Sequence, residues 1–402
     1  MRRRIPTLAL VFTAIGAAAA LGVSGCGDDG DGGDAYGGAG GTAGAAGSGA
    51  DAGGGSAGSA GAGATTALAR PSRSSTIAIS NDDETLAMTN LDDGSVSIFR
   101  AKTEEFVARV ATGGEPSSVV ISPDGKTAYV TNRADATLTR VDGIDGAAPS
   151  AGQSIDVGSE PTGVALSPTG AKLFVAEHAE SRISVIDTAT MSVEQTIAVK
   201  NPFALAVTND LDLDDSDETL VVPEFFGEPV NEGEAKDTGR TGRVRLYSLG
   251  DYAESGSIAL APVDSGFAPA DGAPTVMTAP NQLTSVVIQQ NKIYVTSISA
   301  SPAGPVKFNV NVQPVVYVAD LATATEDKSN VGTANLARVV KDAVGDSPML
   351  YLADLVDMAF IGDSNVAYVL SRGADAVQRL VYEPATGIEV GSTFNKQIDV
   401  TN

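Results

Sequence analysis

Apolar residues recur along this chain in short continuous runs that are separated by turn signals, and the same arrangement is repeated. The stretch SPDGKTAYVTN from Ser122 to Asn132 is matched by SPTGAKLFVAE from Ser167 to Glu177. An apolar run such as SVVIS suits a strand buried on both faces, PDGK suits a hairpin turn, and AYVTN suits the returning strand. The pattern therefore predicts an all-β protein built from repeated antiparallel hairpins.

The repeat has a period in the low forties. The residues that close the first strand of successive units are Ser80, Ser122, Ser167 and Thr208, separated by 42, 45 and 41 residues. A third strand (RISVID) and a fourth strand (EQTIAV) complete the unit, and this period is typical of four-stranded β-propeller blades. Two stretched units follow, at residues 285–297 and 357–371. Six blades are therefore visible in the sequence.

An acidic residue follows the third strand in three of the units. Asp187 and Asp320 each begin an Asp-x-Ala-Thr sequence, and Glu383 begins Glu-Pro-Ala-Thr. A carboxylate at this position can accept hydrogen bonds from the backbone of the turn that follows it. We therefore expect these acids to have a structural role.

The phrases SPDGKTAYVTN, GSEPTGVALSPTGAKLFVAE and SRISVIDTATMSVEQTIAV resemble the YVTN-repeat β-propeller family, bacterial relatives of the lactonase-like propellers. This resemblance implies a propeller that usually closes with seven blades. Two interpretations follow: a six-blade ring, or a seven-blade plan whose last blade is missing from this chain. The final KQIDVTN matches QSIDV, the end of a fourth strand, after which another blade would begin. TTALAR, from Thr65 to Arg70, suits a fourth strand that lacks the first three strands of its blade. We favour the second interpretation.

The amino-terminal segment has the pattern of an export signal. Arg2, Arg3 and Arg4 precede an apolar run from Leu8 to Val23, which is shorter than the roughly 20 residues that span a bilayer. It ends in Val-Ser-Gly-Cys, which resembles the lipobox of bacterial lipoproteins. We expect residues 1–25 to be a signal peptide and Cys26 to be acylated, the alternatives being an ordinary signal peptide or a short membrane anchor.

Lipid at Cys26 makes the membrane a partner, and Gly27 after the cysteine implies sorting to the outer membrane of the cell envelope. Residues 26–66 are almost entirely Gly, Ala, Ser and Asp, so they bury too little apolar surface to fold and are expected to form a disordered tether. The propeller is expected to occupy residues 67–402.

Charge and residue counts exclude several classes of function. The net charge is −24, and removing the three signal arginines leaves 23 basic against 50 acidic residues, about −27. Such a surface repels phosphate backbones, so we expect no nucleic-acid partner. One cysteine and one histidine exclude internal disulfides, cysteine-rich zinc sites and three-histidine metal sites. We expect a monomer that requires no cofactor.

One face of the propeller collects both polar strand ends and insertions. It receives the loops that join the second strand to the third and the fourth to the next first strand, including the long segments 225–242, 261–281 and 299–313. Insertions on one face of a repeat protein usually mark its binding side. A protein or small-molecule ligand is expected there, although a polar rim can also be simply solvated. The predicted rim residues are Asn90, Glu115, Asn132, Arg133, Glu160, Glu177, His178, Glu224 and Arg372, with Ser297 and Ser371 at equivalent strand ends.

The leading hypothesis for function is a non-enzymatic, surface-tethered binding scaffold. The family resemblance allows an alternative, a lactonase-like hydrolase in which Glu177, His178 and a bound cation act at the rim, with Glu177 or Glu160 orienting the imidazole. A third alternative is the amino-terminal propeller of a larger envelope enzyme.

An acidic turn on the opposite face is a candidate cation site. The sequence NDLDLDDSDE, residues 209–218, expands the first hairpin of the fourth unit. Its carboxylates are those of Asp210, Asp212, Asp214, Asp215 and Asp217. Alternating carboxylates on a turn can gather around Ca²⁺, which takes six to eight oxygen ligands. The alternative is a solvated acidic turn that keeps a sheet edge soluble.

Overall fold

The computed structural model describes residues 66–230, 233–329, 332–344, 350–390 and 397–400. The predicted signal peptide, Cys26 and the tether lie outside the described residues, apart from Thr66. No helix within these ranges has the length and apolar character needed to cross a membrane. Six antiparallel sheets follow one another along the chain as the blades of a propeller, which confirms the predicted fold class.

The first strand, β1 (Ser72–Arg73), precedes the blades. Blade 1 contains β2 (Ile77–Ile79), β3 (Thr85–Asn90), β4 (Ser95–Arg100) and β5 (Glu105–Ala111). Blade 2 contains β6 (Pro116–Ile121), β7 (Thr127–Asn132), β8 (Thr137–Asp142) and β9 (Ser150–Asp156). Blade 3 contains β10 (Pro161–Leu166), β11 (Lys172–Glu177), β12 (Arg182–Asp187) and β13 (Ser192–Ala198).

The later blades carry additional short elements. Blade 4 contains β14 (Ala206–Val207), β15 (Thr219–Pro223), β16 (Glu228–Pro229), β17 (Arg240–Ser248) and β18 (Glu254–Leu260). A two-stranded ladder of β19 (Val263–Asp264) and β20 (Met277–Thr278) follows. Blade 5 contains β21 (Leu283–Gln289), β22 (Lys292–Ala300), β23 (Val312–Asp320), β24 (Thr325–Glu326) and β25 (Ala334–Asn335). Blade 6 contains β26 (Leu355–Phe360), β27 (Val366–Ser371), β28 (Ala376–Glu383), β29 (Gly387–Glu389) and β30 (Gln397–Asp399).

Two helices, which the sequence analysis did not predict, lie among the insertions. They are α1 (Phe308–Asn311), between β22 and β23, and α2 (Leu336–Val344), between β25 and β26. Short 3₁₀ turns occupy Asp215–Asp217 and Arg372–Ala374. We call the face that carries the second-to-third and blade-to-blade loops the insertion face, and the face that carries the first-to-second hairpins the base.

Burial of apolar side chains between neighbouring blades holds the propeller together. All six residues of β10 are buried, as a strand covered on both faces requires. Five apolar clusters join blades 1 to 2, 2 to 3, 3 to 4, 4 to 5 and 5 to 6, and each fully buried Leu, Ile or Val contributes about 1.5–3 kcal/mol. Among the described residues no such cluster joins blade 6 to blade 1, and Phe106 on blade 1 is 52% exposed.

The acidic residues after the third strands have the predicted structural role in two blades. Asp187 Oδ1 accepts hydrogen bonds from the Thr190 backbone N–H at 2.8 Å and from its hydroxyl at 2.9 Å. The bond from Thr190 and the nearby Lys172 lower the pKa of Asp187 to about 2. Asp320 accepts the equivalent bond from Thr323 at 2.9 Å. Glu383 differs, because its carboxylate accepts a hydrogen bond from Asn365 Nδ2 at 2.8 Å.

The prediction that TTALAR forms a stray outer strand was wrong. Residues 66–70 contain no strand, and the Leu68 side chain packs against the apolar cluster of blades 2 and 3 at the base. The Leu68 N–H donates to the Pro168 carbonyl at 2.8 Å, and Asn81 Nδ2 donates to the Ala67 carbonyl at 3.0 Å. The first described residues therefore lie at the base.

From the base, residues 72–75 run along the propeller axis. β1 pairs with β14 of blade 4, and the Ser74 hydroxyl donates to the Val164 carbonyl of blade 3 at 3.3 Å. The Ser75 N–H donates to Ser118 Oγ of blade 2 at 3.1 Å, and Arg73 forms an ion pair with Asp357 of blade 6 at 2.6 Å. Because all four partners belong to innermost strands, this segment fills the centre of the ring.

Candidate ligand-binding face

The predicted rim residues at the ends of the second strands are hydrogen-bonded within their own blades. Asn132 is fully buried, and its Nδ2 donates to Thr137 Oγ1 and Thr139 Oγ1, both at 3.0 Å. Asn90 Nδ2 makes the same bonds in blade 1, to Ser95 Oγ at 3.1 Å and Ser97 Oγ at 2.8 Å. Each partner lies five or seven residues further on, where the third strand returns beside the second.

Carboxylates occupy the same position in blades 3 and 4. Glu177 is fully buried and accepts hydrogen bonds from Arg182 Nε and the Ser184 hydroxyl. The hydrogen bond to Glu177 raises the pKa of Arg182 above its ordinary value. In blade 4, Glu224 accepts a bond from Arg245 Nε at 2.7 Å. We call these arrangements at Asn90, Asn132, Glu177 and Glu224 the strand-end latches.

The strand-end latches bear directly on the proposed catalytic role of Glu177. A general base needs a free lone pair within hydrogen-bond reach of its substrate. Both oxygens of Glu177 are already bonded, one of them to a cation, and none of its side chain is exposed. Proton abstraction by Glu177 would therefore require the latch of blade 3 to open.

The serines at the equivalent positions of blades 5 and 6 also bond to nearby protein groups. Ser297 Oγ donates to the Asn281 carbonyl at 2.8 Å, and Ser371 Oγ donates to the Ala353 carbonyl at 2.5 Å. Both serines are fully buried. In these two blades the side chain at the end of the second strand bonds to the backbone of the incoming loop.

The remaining predicted rim residues form a second set of equivalent positions. Arg133 pairs with Glu115 at 2.8 Å in blade 2, and Arg372 pairs with Asp354 at 2.6 Å in blade 6. In blade 3 these positions hold His178 and Glu160, whose contact is a backbone hydrogen bond from the His178 N–H to the Glu160 carbonyl at 3.1 Å. The structure thus brings these residues together in pairs, which the sequence analysis did not predict.

His178 lies in an aromatic group on the insertion face. Its Nδ1 is 3.2 Å from the Pro202 carbonyl oxygen, and its ring packs edge-on against Phe225 at 5.3 Å and Phe203 at 5.8 Å between centroids. Phe226, which is 43% exposed, lies 6.2 Å from the imidazole. These contacts orient the ring toward blade 4, and its Nδ1 hydrogen bond runs to Pro202.

The acidic turn at the base divides into two groups. Ligand oxygens of Asp210, Asp212 and Asp217 lie within 4.8 Å of one another. Desolvation and the neighbouring carboxylates raise the pKa of Asp217. Asp214 instead accepts a bond from the Ser216 N–H at 2.9 Å, and Asp215 accepts one from the Thr169 N–H of blade 3 at 2.9 Å. The structure therefore brings together three of the five predicted calcium ligands.

Three insertions converge on a cleft that the sequence analysis did not find. They are the segment between blades 4 and 5, the β22–β23 connection and α2. The cleft has a volume of about 390 Å³. Its lining consists of Phe267, Ala268, Ala270, Asp271, Gly272, Lys307, Asn309 and Lys341. We call it the lysine cleft.

Helix α2 is fixed in place by its apolar side. Leu336 and Val340 are buried in the cluster of blades 5 and 6. Asn335 begins the helix, with its Oδ1 accepting the Ala337 N–H at 3.1 Å, while its Nδ2 donates to the Ser265 carbonyl at 2.9 Å. The helix and the loop before Phe267 are therefore tied to one another, and Lys341 is held over the Phe267 ring at 4.9 Å from its centroid.

Comparison with known proteins supports the propeller fold, although the matching family model has seven blades where the described residues form six. Residues 101–202, about a quarter of the chain, match the family model "Lactonase, 7-bladed beta-propeller". This stretch resembles the lactonase propellers. The match covers the end of blade 1, blades 2 and 3, and the start of the approach to blade 4, where the repeats are most regular. No curated protein sequence matches the chain.

Many solved structures are similar to this chain, and two of them illustrate the shared fold. Hydrazine synthase of Kuenenia stuttgartiensis is 19% identical, with a TM-score of 0.55 over 82% of this chain and 81% of that chain. A putative 6-phosphogluconolactonase from Bacteroides fragilis is 15% identical, with a TM-score of 0.50 over 80% of this chain and 83% of that chain. At these identities the likeness concerns the propeller fold alone.

Proposed function

We propose that this chain is an exported, lipid-anchored propeller that binds a ligand on its insertion face as a non-enzymatic scaffold. The observation that carries this proposal is the convergence of three insertions on the lysine cleft. Ligand sites in rigid repeat folds are commonly built from such loops. Glu177, the most plausible general base, is instead hydrogen-bonded to Arg182 and Ser184 within its own blade.

The entry point of the chain supports the anchored part of this proposal. Residues 67 and 68 lie at the base, and the chain reaches the insertion face only after passing along the axis. A tether attached ahead of Thr66 would therefore leave from the base. The lysine cleft lies on the opposite face, clear of that attachment point.

Acylation is tested by expressing the full chain and its Cys26→Ala variant with a labelled fatty acid. We expect the label and the membrane-bound fraction in the parent chain and the loss of both in the variant. Ser24→Ala is the matched control, because it changes a neighbouring small residue and keeps the cysteine. Equal membrane association of all three chains would contradict the anchor.

Ligand binding is tested by thermal shift of the chain from residue 26 onward, carrying Cys26→Ser, against envelope glycans, peptides and small metabolites. A true ligand should raise the melting temperature, since binding to the folded state alone stabilises it. Replacing Asp271-Gly272 by Ala-Ala should remove the shift, whereas Asp124→Ala at the base should leave it unchanged. The absence of any shift across the panel would contradict the proposal.

The match of residues 101–202 favours a second candidate, a lactonase-like hydrolase. It is tested by measuring acid release from aliphatic and sugar lactones, with and without Ca²⁺ or Mn²⁺. Catalysis by the rim would be lost in Glu177→Gln and in His178→Ala while both variants stay folded. Arg133→Ala is the control on the same face. No lactone opening under any of these conditions would remove this candidate.

A further inference from the structure

Neighbouring blades pack against one another at every junction except that between blade 6 and blade 1. The innermost strands of blades 1 to 6 pack one on the next, from β2 on β6 to β21 on β26. Among the described residues, β26 of blade 6 and β2 of blade 1 make no comparable packing. Blade 6 is linked to the start of the chain through Asp357, which bonds to Arg73 and Ser75 on the propeller axis. We call the space between blades 6 and 1 the open junction.

One wall of the open junction is the face of blade 6 that points away from blade 5. Its aromatic residue on the second strand, Tyr368, lies opposite Ala359 in the strand register, as Tyr129 lies opposite Val120 in blade 2. Tyr129 is only 6% exposed, because blade 3 covers it. Tyr368 is half-buried and Ala359 is exposed. The equivalent positions are apolar in both blades, and only those of blade 2 are covered.

The other wall is the face of blade 1 that points away from blade 2. The strand register makes five of its residues equivalent to residues that blade 3 buries against blade 2. In blade 3 these fully buried residues are Val164, Leu166, Leu173, Val175 and Ile186. Their counterparts in blade 1 are, in the same order, Ile77, Ile79, Leu86, Met88 and Phe99. Four of these counterparts are half-buried, although all five have the apolar character of a blade interface.

The two walls indicate what fits between them. In the closed junctions each such wall is covered by the face of a four-stranded sheet, so a sheet that fills the open junction has to bury both of its faces. Phe106 on the outer strand of blade 1 packs edge-on against Phe99 at 5.5 Å between centroids and extends the wall outward. Contiguous apolar surface of this kind is typical of a protein interaction site.

A second copy of the chain does not supply such a sheet. Its inner blades are covered on both faces, and its end blades, 1 and 6, each have one free face. The low-complexity sequence of residues 26–65 contains Tyr36 as its one large apolar residue, so it lacks the side chains to cover either wall. A segment of another protein, with apolar residues on both faces of a sheet, meets the requirement.

We propose that the open junction is a docking site for a partner protein, which inserts a strand-forming segment as a further sheet between blades 6 and 1. The repeat spacing of 41 to 45 residues sets the length of that segment at about forty residues. Insertion buries both walls and closes the ring. The inference goes beyond ligand binding on the insertion face, because it concerns a different surface and a protein partner.

Access to the junction is tested by cysteine labelling of the chain from residue 26 onward, carrying Cys26→Ser, which has no other cysteine. Ala359→Cys places a thiol on the wall of blade 6. Ala165→Cys is the matched control, because it occupies the equivalent position in blade 3, where blade 4 covers it. We expect a maleimide to label Ala359→Cys roughly a hundredfold faster, since a buried thiol reacts only when the structure opens. Equal rates in the monomeric chain would overturn the inference.

Docking is tested with a probe, the polypeptide of residues 157–199, which carries blade 3 and has apolar residues on both faces. We expect it to slow the labelling of Ala359→Cys about tenfold and to raise the melting temperature, since it binds the folded chain alone. The same polypeptide carrying Val164→Asp and Val175→Asp is the matched control. Its face toward blade 6 is charged, so it should leave the labelling rate unchanged.

Variants on the wall of blade 1 test the other side of the junction. Leu86→Asp, made in the Ala359→Cys chain, should abolish the protection by the probe. Leu91→Asp, an exposed leucine in the β3–β4 loop, should keep it. If the blade 3 polypeptide protects no better than its charged version, the inference fails. If protection rises with chain concentration without the probe, and ultracentrifugation shows a dimer, a second copy covers the junction and the inference is overturned.

Discussion

Blades 2 and 3 and blade 5 use the same four-stranded framework for different purposes. In blades 2 and 3 the loops are short, and the polar residues at the strand ends, such as Asn132 and Glu177, are buried and bonded within the blade. In blade 5 the equivalent strand end is Ser297, and long connections extend over it and supply Lys307 and Lys341 to a cleft.

The difference shows that a polar residue at a repeated position of this propeller is primarily part of the framework. Polar side chains that a ligand can contact lie where insertions interrupt the repeat. The four predictions below test this division between strand-end latches and insertions, beginning with the variant expected to have the largest effect.

Loss of a charged strand-end latch should be the most damaging change. Glu177→Ala removes a fully buried carboxylate and both of its bonds, and leaves Arg182 with only its more exposed ion pair to Glu180. We expect unfolding free energy to fall by about 2–4 kcal/mol, because broken buried ion pairs are costly while the partly exposed arginine can regain water. Urea unfolding measures the loss. Lys341→Ala, on the inserted helix α2, should change the unfolding free energy by less than about 0.5 kcal/mol.

A smaller loss is expected from a neutral strand-end latch. Asn132→Ala leaves the hydroxyls of Thr137 and Thr139 without their amide donor. The expected cost is about 1–2 kcal/mol, in line with the loss of buried hydrogen bonds between neutral groups. Asn309→Ala in the lysine cleft is the matched change and should be nearly neutral in the same unfolding assay. Equal losses of unfolding free energy in Asn132→Ala and Asn309→Ala would contradict the division between strand-end latches and insertions.

Lowering the pH should destabilise both the regular blades and the insertions, because specific carboxylates become protonated. Bonds from Lys200 and Arg243 lower the pKa of Glu228, in the blade 4 insertion, from 4.5 to about 2. A lowered acid pKa adds stability that is complete above the ordinary value and is lost as pH falls toward 2. Glu228→Gln should therefore reduce the change in unfolding free energy between pH 4.5 and 2, by about 1 kcal/mol after allowing for solvent screening.

Asp187→Asn is the matched variant in the regular blade 3. Its carboxylate should add stability that is lost as pH falls from 3.8 to about 2. Unfolding monitored at half-unit pH steps would show the two contributions separately. A profile that neither variant alters would contradict both assignments.

Calcium should have the smallest effect. If Asp210, Asp212 and Asp217 bind Ca²⁺ at the base, an ion concentration three times the dissociation constant adds about 0.8 kcal/mol of stability. Asp212→Asn should abolish the increase in melting temperature. Asp214→Asn, outside the group of three, should retain it. A parent protein whose melting temperature is unchanged by millimolar Ca²⁺ would leave the turn as a solvated acidic loop.

Much of the framework was predictable because strand burial leaves a direct pattern in the sequence. SVVIS and GVALS each contain three consecutive apolar residues, and each is followed by a turn containing proline and glycine, so the sequence alone delimits the blades. The latch partners also leave a signal that can be recognised in retrospect, since Thr137 and Thr139, which accept the bonds from Asn132, follow it by five and seven residues.

The axial segment and the lysine cleft left no comparable pattern. Ser72 and Arg73 pair with a strand more than 130 residues away, and their polar side chains give no indication of a position inside the ring. Lys307 and Lys341 are separated in sequence by three strands, β23, β24 and β25. Their proximity depends on how three irregular loops pack, which apolar periodicity cannot predict.

The axial segment also determines how the molecule would respond to mechanical force. A pull on the chain ahead of Thr66 acts along β1, parallel to the strand axis, so its hydrogen bonds to β14 are loaded in shear together and not opened one after another. The load passes from there to Ser118, Val164 and Asp357 on three other blades. Tension is thereby shared at the hub of the propeller before it reaches any outer strand.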